Sequence, residues 1–317
     1  FDAVSFSNTQ RTFTVKKVHI KPVLGEAAFV KQARLQTDRF DFIFNDVSIK
    51  NINLDKLMDE SFYADSLIVR DANVKIFRDL SYPRDKVDRR GGYPQQMLMK
   101  MDLPVAIKKL IIRSAFIEYK EFNPKSDYNG RVQFQRASAS ISNVTNIKSE
   151  IAQNNNLLIN FNAHFLNFAP MHATINMKLG DPRGRFTASG GMSKFDATRL
   201  NVLLKPAALA QVDKGTVNKL TFSLNADDNN SNGQLVMLYE DLKLTILKKD
   251  SAENKLQKKK FASFLGNMVI KNANPSGRKD PRKATIQYQR DPNRSFFNLI
   301  WKSIFVGVKE SVGVPSN

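Results

Sequence analysis

Apolar residues alternate with polar ones over long segments of this chain, and that period of two constrains the fold more than any other feature. Leu157, Ile159, Phe161, Ala163 and Phe165 fall on one face of a predicted strand, opposite Leu158, Asn160, Asn162, His164 and Leu166. Beyond Ala169-Pro170, Met171, Ala173, Ile175, Met177 and Leu179 repeat the pattern, so the two segments read as an antiparallel pair. The turn residues Gly180 to Gly184 lead to a third strand carrying Phe186, Ala188, Gly190 and Met192. Leu220, Phe222, Leu224 and Ala226, then Leu235 and Met237, flank the polar stretch Asp227 to Gly233 and predict a hairpin with a long turn. The phase breaks between Tyr239 and Leu242, as at a β-bulge, before Leu244 and Ile246 resume it.

The first half contains a repeat. Leu67 to Ile76 aligns with Leu110 to Tyr119, each reading as strand, short polar step, strand. A sheet built from such units is elongated and open, with edges and an apolar face left to cover. The expected fold is therefore mainly β: an elongated, twisted antiparallel sheet curled into an open groove. Residues 1–247 would form the repeated-hairpin groove, and 248–317 a basic C-terminal segment continuous with it.

Helical spacing is scarce. Thr198 to Val212, interrupted at Pro206, and Asn254 to Asn267 are short candidates. The clearest helix is C-terminal, where Phe296, Phe297, Ile300, Trp301, Ile304, Phe305 and Val308 recur three and four apart, starting after Asp291 to Ser295 and ending near Gly313 and Pro315. Asp79 to Pro94 and Asn272 to Pro281 read as loops.

Composition removes several chemistries. With no cysteine there are no disulfides, thiolate zinc sites or cysteine nucleophiles. His19, His164 and His172 are scattered; the last two share the polar face of neighbouring predicted strands, but no acidic third ligand accompanies them. Asp228-x-Asn230-x-Asn232-Gly233 matches half of a calcium loop, yet the closing acid is absent, and a hairpin turn explains the same residues. No phosphate loop, nucleophile elbow or zinc helix occurs, so neither enzyme activity nor a cofactor is expected.

The 317 residues carry a net charge of +19, which favours anionic partners. Lys248 to Glu310 holds 15 Lys and Arg against 5 Asp and Glu. Basic groups beside an aromatic helical stripe suit a segment lying on an anionic membrane, with Phe296, Phe297, Trp301, Phe305 and Lys302 as contacts. The same spacing also suits a helix packed inside the protein. No nucleic-acid-reading module is visible, and no nucleic-acid partner is expected. No apolar run is long enough for a membrane-spanning helix. Phe1 follows no basic or apolar leader, which leaves an upstream signal or anchor open. Strands outnumber the helices available to cover them, so the apolar faces predict a trough suited to acyl chains.

The strand pairs Phe44 to Ile52 and Leu67 to Phe77, the segment Leu200 to Pro206, Gly233 to Leu242, and the ending Arg290 to Lys302 together resemble the AsmA-like group of Gram-negative envelope proteins, related to TamB and the bridge-like lipid-transfer proteins. The ending is similar to that of Bacteroidetes-type members. The resemblance implies a periplasmic body anchored to the inner membrane by an upstream segment, no catalytic residues, and a non-enzymatic role in envelope lipid homeostasis or lipid movement between membranes. It implies phospholipid, the membrane surface and envelope proteins as partners, and makes Phe161, Phe165, Ile175, Met177, Phe222 and Met237 groove candidates. A protein-interaction scaffold for outer-membrane assembly is the alternative.

Overall fold

The computed structural model describes residues 1–250, 255–258 and 270–314. The strands are β1 (Asp2–Ser7), β2 (Thr12–Ile20), β3 (Arg39–Lys50), β4 (Phe62–Asp79), β5 (Val105–Asn123), β6 (Tyr128–Thr145), β7 (Asn156–Phe165), β8 (Ala169–Lys178), β9 (Phe186–Met192), β10 (Phe195–Asp196), β11 (Ala210–Ala226), β12 (Asn230–Asp250), β13 (Lys255–Lys258) and β14 (Ala284–Gln289). Helices are α1 (Glu26–Ala33), α2 (Leu54–Met58), α3 (Pro94–Met99), α4 (Lys148–Gln153), α5 (Asn201–Ala208) and α6 (Phe296–Ser311). The strands form one open sheet laid down almost in chain order, β1 to β9 followed by β11, β12 and β13, with β10 on β11 and β14 on β12.

The alternation between residues 156 and 192 becomes three antiparallel strands, with Phe161 opposite Ala173 and Ala173 opposite Gly190. The hairpin β11–β12 also forms, but its turn is tighter than its polar composition suggests. Ala226 already pairs with Ser231, so Asn232 and Gly233 belong to the strand. The phase break near Tyr239 is a bulge: Lys214 pairs with Lys243 and Thr216 with Glu240, and Asp241 takes a left-handed φ of 54°.

The repeat has a different outcome from the expected hairpin growth. Each copy is one continuous strand, and the two copies pair in parallel at a constant spacing, Leu67 with Leu110 and Asp79 with Phe122. The polar step is a kink within the strand. On β5 the pairing with β6 shifts between Ile112 and Ala115. The apolar side chains before and after the step, Val69 with Ala72 and Ile112 with Ala115, remain in one cluster, so the kink restores the phase that the extra polar residue would invert. Parallel pairing requires a long return. Residues 80–104, including α3, supply it.

Short helices close parts of the sheet. The expected helix at Thr198 to Val212 is a 3₁₀ turn (Ala197–Leu200) running into α5, while Val212 lies in β11. Asn123 Nδ2 donates to the Pro206 carbonyl at 2.8 Å, and Asn201 exchanges two hydrogen bonds with the backbone of Val212. Thus α5 touches β5, β6 and β11 together. In a flat sheet β6 and β11, separated by β7, β8 and β9, would lie about 19 Å apart, beyond the reach of one helix about 10–12 Å wide. The sheet therefore curls around α5, with its apolar face inward.

The C-terminal helix starts at its Ser295 cap, whose hydroxyl accepts from Asn298 N, and stops before Gly313. It lies on β12 and β14, where a Cβ added at Gly307 would sit 2.8 Å from Leu235 Cβ. Close helix–sheet contact explains glycine there. Of the helix expected over Asn254 to Asn267, the described residues Lys255–Lys258 form a strand on β12; the remainder, and Pro315, lie outside the described residues.

Candidate functional site

Directly paired residues in a sheet share a face, so the registers define which side chains line the inside of the curl. One row reads Val4, Val15, Val47, Val69, Ile112 and Ala139 from β1 to β6, then Phe161, Ala173, Gly190, Phe222, Leu235 and Ala284 to β14. The next row reads Phe6, Phe13, Ile49, Leu67, Leu110 and Ile141, then Ile159, Ile175, Ala188, Leu224, Gly233 and Ile286. Neither row contains a polar side chain.

The row between them faces outward and begins Ser5, Thr14, Ser48, Ile68, Ile111 and Ser140; Asn160, Thr174, Ser189, Ser223, Gln234 and Thr285 complete it. Only the paired repeats interrupt its polarity. The sheet is thus apolar inside across these rows and, on either side of the Ile68–Ile111 pair, polar outside.

Cover over the apolar face is uneven. At the β9–β14 end, Leu235, Ile286, Leu224 and Leu299 of α6 are buried together with Tyr93 from the 80–104 crossover. The Tyr93 ring meets Phe186 and Phe296 edge-on at 5.8 and 5.1 Å, and its hydroxyl donates to the Asp227 carbonyl. Over β5–β8 the rows through Ile112, Phe161 and Leu110, Ile159 are only half-buried. At the far edge Val4 and Phe6 are exposed. Past the kink line the inner face continues through Phe44, Phe42 and Phe40, whose rings touch in sequence at 6.3 and 5.4 Å.

The predicted groove residues divide between these zones. Phe161, Ile175 and Phe222 are half-buried, whereas Phe165, Met177 and Met237 are buried in the core. The predicted membrane contacts divide as well. Phe296 points inward at 6 % exposure, while Phe297 is 71 % and Trp301 40 % exposed. Lys302 is exposed, Phe305 half-buried, and the Trp301 and Phe305 rings stack at 6.1 Å. Phe297 also lines an open recess of about 450 Å³ with Met97, Lys100 and Arg90.

The remaining motifs have structural employment. Asp228 accepts from Arg290 Nη1 at 2.8 Å, from Gln96 Nε2 at 2.6 Å and from Gly91 N at 3.2 Å, so its oxygens serve a buried junction. His164 lies opposite Pro170 and His172 opposite Asn162. Among the described residues no cluster of His, Asp or Glu suits a metal ion. No described helix is long and apolar enough to cross a membrane.

Leu67 and Leu110, the first residues of the two repeat copies, and Val47 and Ile49 of the strand Phe44 to Ile52 join the face together with Ile141, which the sequence had not singled out. Alternation was the only signal at Ile141, and it becomes informative once the register aligns it. No known protein-family model matches the chain, and neither does any curated protein.

Proposed function

We propose that this chain is a non-enzymatic lipid-handling protein of the Gram-negative envelope, holding phospholipid acyl chains against the inner face of its curled sheet. The observation that carries this reading is the pair of uninterrupted apolar rows, half-exposed across β5–β8. An ordinary core seals such surface, whereas an extended apolar surface within reach of solvent suits ligands that need area and few directional contacts. Phe297, Trp301 and Lys302 on the outward flank of α6 suit contact with an anionic bilayer. A periplasmic location with an upstream inner-membrane anchor, and membership of the AsmA-like group, belong to the same proposal.

The test is extraction of the purified protein followed by lipid mass spectrometry, with uptake of a fluorescent phospholipid as a second measurement. Co-purifying phospholipid and saturable uptake are expected. Protein free of lipid that also takes up none would end the proposal. A scaffold role draws on the exposed edge strand β1, which offers unpaired backbone groups to a partner strand. Crosslinking in cells that recovers one protein partner, alongside absent lipid, would favour it.

A further inference from the structure

Beyond Phe40, Ile76 and Tyr119, the inner face of the sheet turns polar. Arg78 and Glu121 pair on the same face as Ile76 and Tyr119, and Arg78 holds Asp38 through two hydrogen bonds of 2.7 Å. The crossover and the segment before α6 come down over this point. Gln36, Arg78, Arg84, Asp85, Arg89, Asn293 and Arg294 enclose a cavity of about 10 Å³, room for roughly one water-sized group.

The arginines here are unequally served. Arg78 and Arg89 each have a carboxylate, Arg89 through paired contacts to Asp85 at 2.9 and 2.5 Å. Arg84 and Arg294 share Asp291, at 3.6 and 3.7 Å, too far for hydrogen bonds. Glu121 is already engaged by the Tyr119 hydroxyl at 3.1 Å. Among the described residues neither Arg84 nor Arg294 has a hydrogen-bond partner for its guanidinium, although the Arg294 side chain is only 14 % exposed. The Gln36 Oε1 is also buried without a partner. A guanidinium carries five donors, and those of Arg84 and Arg294 remain open to an added acceptor. Burial, with Arg84 and Arg78 adding to it, holds the Arg294 guanidinium below its usual range.

We propose that Arg84 and Arg294, backed by Arg78 and Arg89, form a binding site for a phosphate group at the polar end of the apolar face. One phosphate oxygen fits the cavity, and the rest of the group lies toward Arg84, whose side chain is 62 % exposed and free to close on it. Planar guanidinium groups match phosphate oxygens in pairs, which suits arginine to this task. Resting on the lipid reading above, the site is a headgroup seat. A phospholipid would place its phosphate here and its chains along Tyr119, Ile76 and Phe40 toward the kink line, about 20 Å away at Ala72.

The experiment compares the wild-type chain with Arg294→Gln and Arg84→Gln, using inorganic phosphate, short-chain phosphatidylglycerol and short-chain diacylglycerol as probes. Calorimetry gives affinity and thermal unfolding gives stability. The phosphate-bearing probes are expected to bind about tenfold or more weakly to each variant. Diacylglycerol uptake should stay unchanged. Phosphate should raise the melting temperature of the wild type and leave that of Arg294→Gln where it is.

Loss of phosphate and phosphatidylglycerol binding together, with diacylglycerol retained, supports both the site and the lipid reading. Phosphate binding that depends on these arginines, in a chain that takes up neither lipid, leaves the site standing and removes the lipid reading. Equal affinity of wild type and both variants for phosphate and phosphatidylglycerol, or binding of neither by the wild type, overturns the site.

Discussion

The Arg290 guanidinium lies 2.8 Å from the Asp228 carboxylate, with the arginine side chain 1 % exposed. The same guanidinium stacks over the Tyr93 ring at 4.5 Å and donates to the carbonyls of Arg89 and Arg294. One ion pair thus ties together the crossover, the β11–β12 turn and the approach to α6. Substituting Arg290→Met leaves Asp228 buried without its cation, and a loss of about 3–5 kcal/mol is expected in urea unfolding. The double substitution Arg290→Met with Asp228→Leu should recover much of it. A single-variant loss below about 1 kcal/mol would mean that water reaches the pair.

Helix α6 depends on close approach at Gly307. Its Cβ position is 2.8 Å from Leu235 Cβ and 3.1 Å from Ile286, so Gly307→Val forces the helix outward at a cost of about 1–3 kcal/mol. Trp301, the only tryptophan, reports on this helix. Its emission should shift at lower urea in the variant than in the wild type, and unchanged midpoints would contradict the packing.

Uneven cover over the inner face predicts unequal tolerance of charge. Ile159→Asp and Phe161→Asp, on the half-buried stretch, should lower phospholipid uptake severalfold while the chain remains folded. Leu235→Asp, fully buried beneath α6, should unfold it, at a cost of several kcal/mol. Circular dichroism and uptake measured together separate the two outcomes; equal uptake in all folded variants would show that the half-buried stretch does not carry lipid.

Acid should destabilise the chain through identified carboxylates. Hydrogen bonds from Arg89 hold Asp85 below its ordinary 3.8. Asp227 is also held low: burial opposes this, but the backbone N–H groups of Asn229 and Asn230 and the Arg183 guanidinium outweigh it. A folded-state value below the unfolded one contributes stability that is complete above the unfolded value and is lost as pH falls through the folded one. Melting temperature should therefore be insensitive to these groups above about pH 5 and fall below about pH 4. Asp85→Asn should flatten that fall; a curve parallel to the wild type would remove Asp85 from the account.

Much of the sheet is legible because its strands have one wet side. Asn160 opposite Thr174, or Ser189 opposite Ser223, is the polar half of a pattern whose apolar half must turn inward. Strand direction was not legible in the same way. The copies at Leu67 and Leu110 look alike whether they pair in parallel or form successive hairpins, and only the crossover, anchored by Tyr93, decides.

Alternation likewise assigns Met177 and Ile175 to strands without saying which part of a face a helix will cover. Met177 is sealed under the Tyr93 and Phe296 rings' cluster, while Ile175 at its margin is half-open. The arginine site was invisible in sequence for another reason. Residues 78, 84, 89 and 294 have no periodic relation, and their meeting depends on the curl of the sheet.

The parallel pairing of the two repeats makes the molecule modular in width. Val69 faces Val47 on one side and Ile112 on the other, and Ile112 occupies in β5 the place that Val69 occupies in β4. Excising one copy would let β5 meet β3 in the register that β4 now uses, narrowing the sheet by one strand, about 4.8 Å, with both greasy bands intact. Duplication would widen it by the same step, but each added parallel strand brings a crossover of its own, and only the one that carries Tyr93 has a place in the core beneath Phe186 and Phe296.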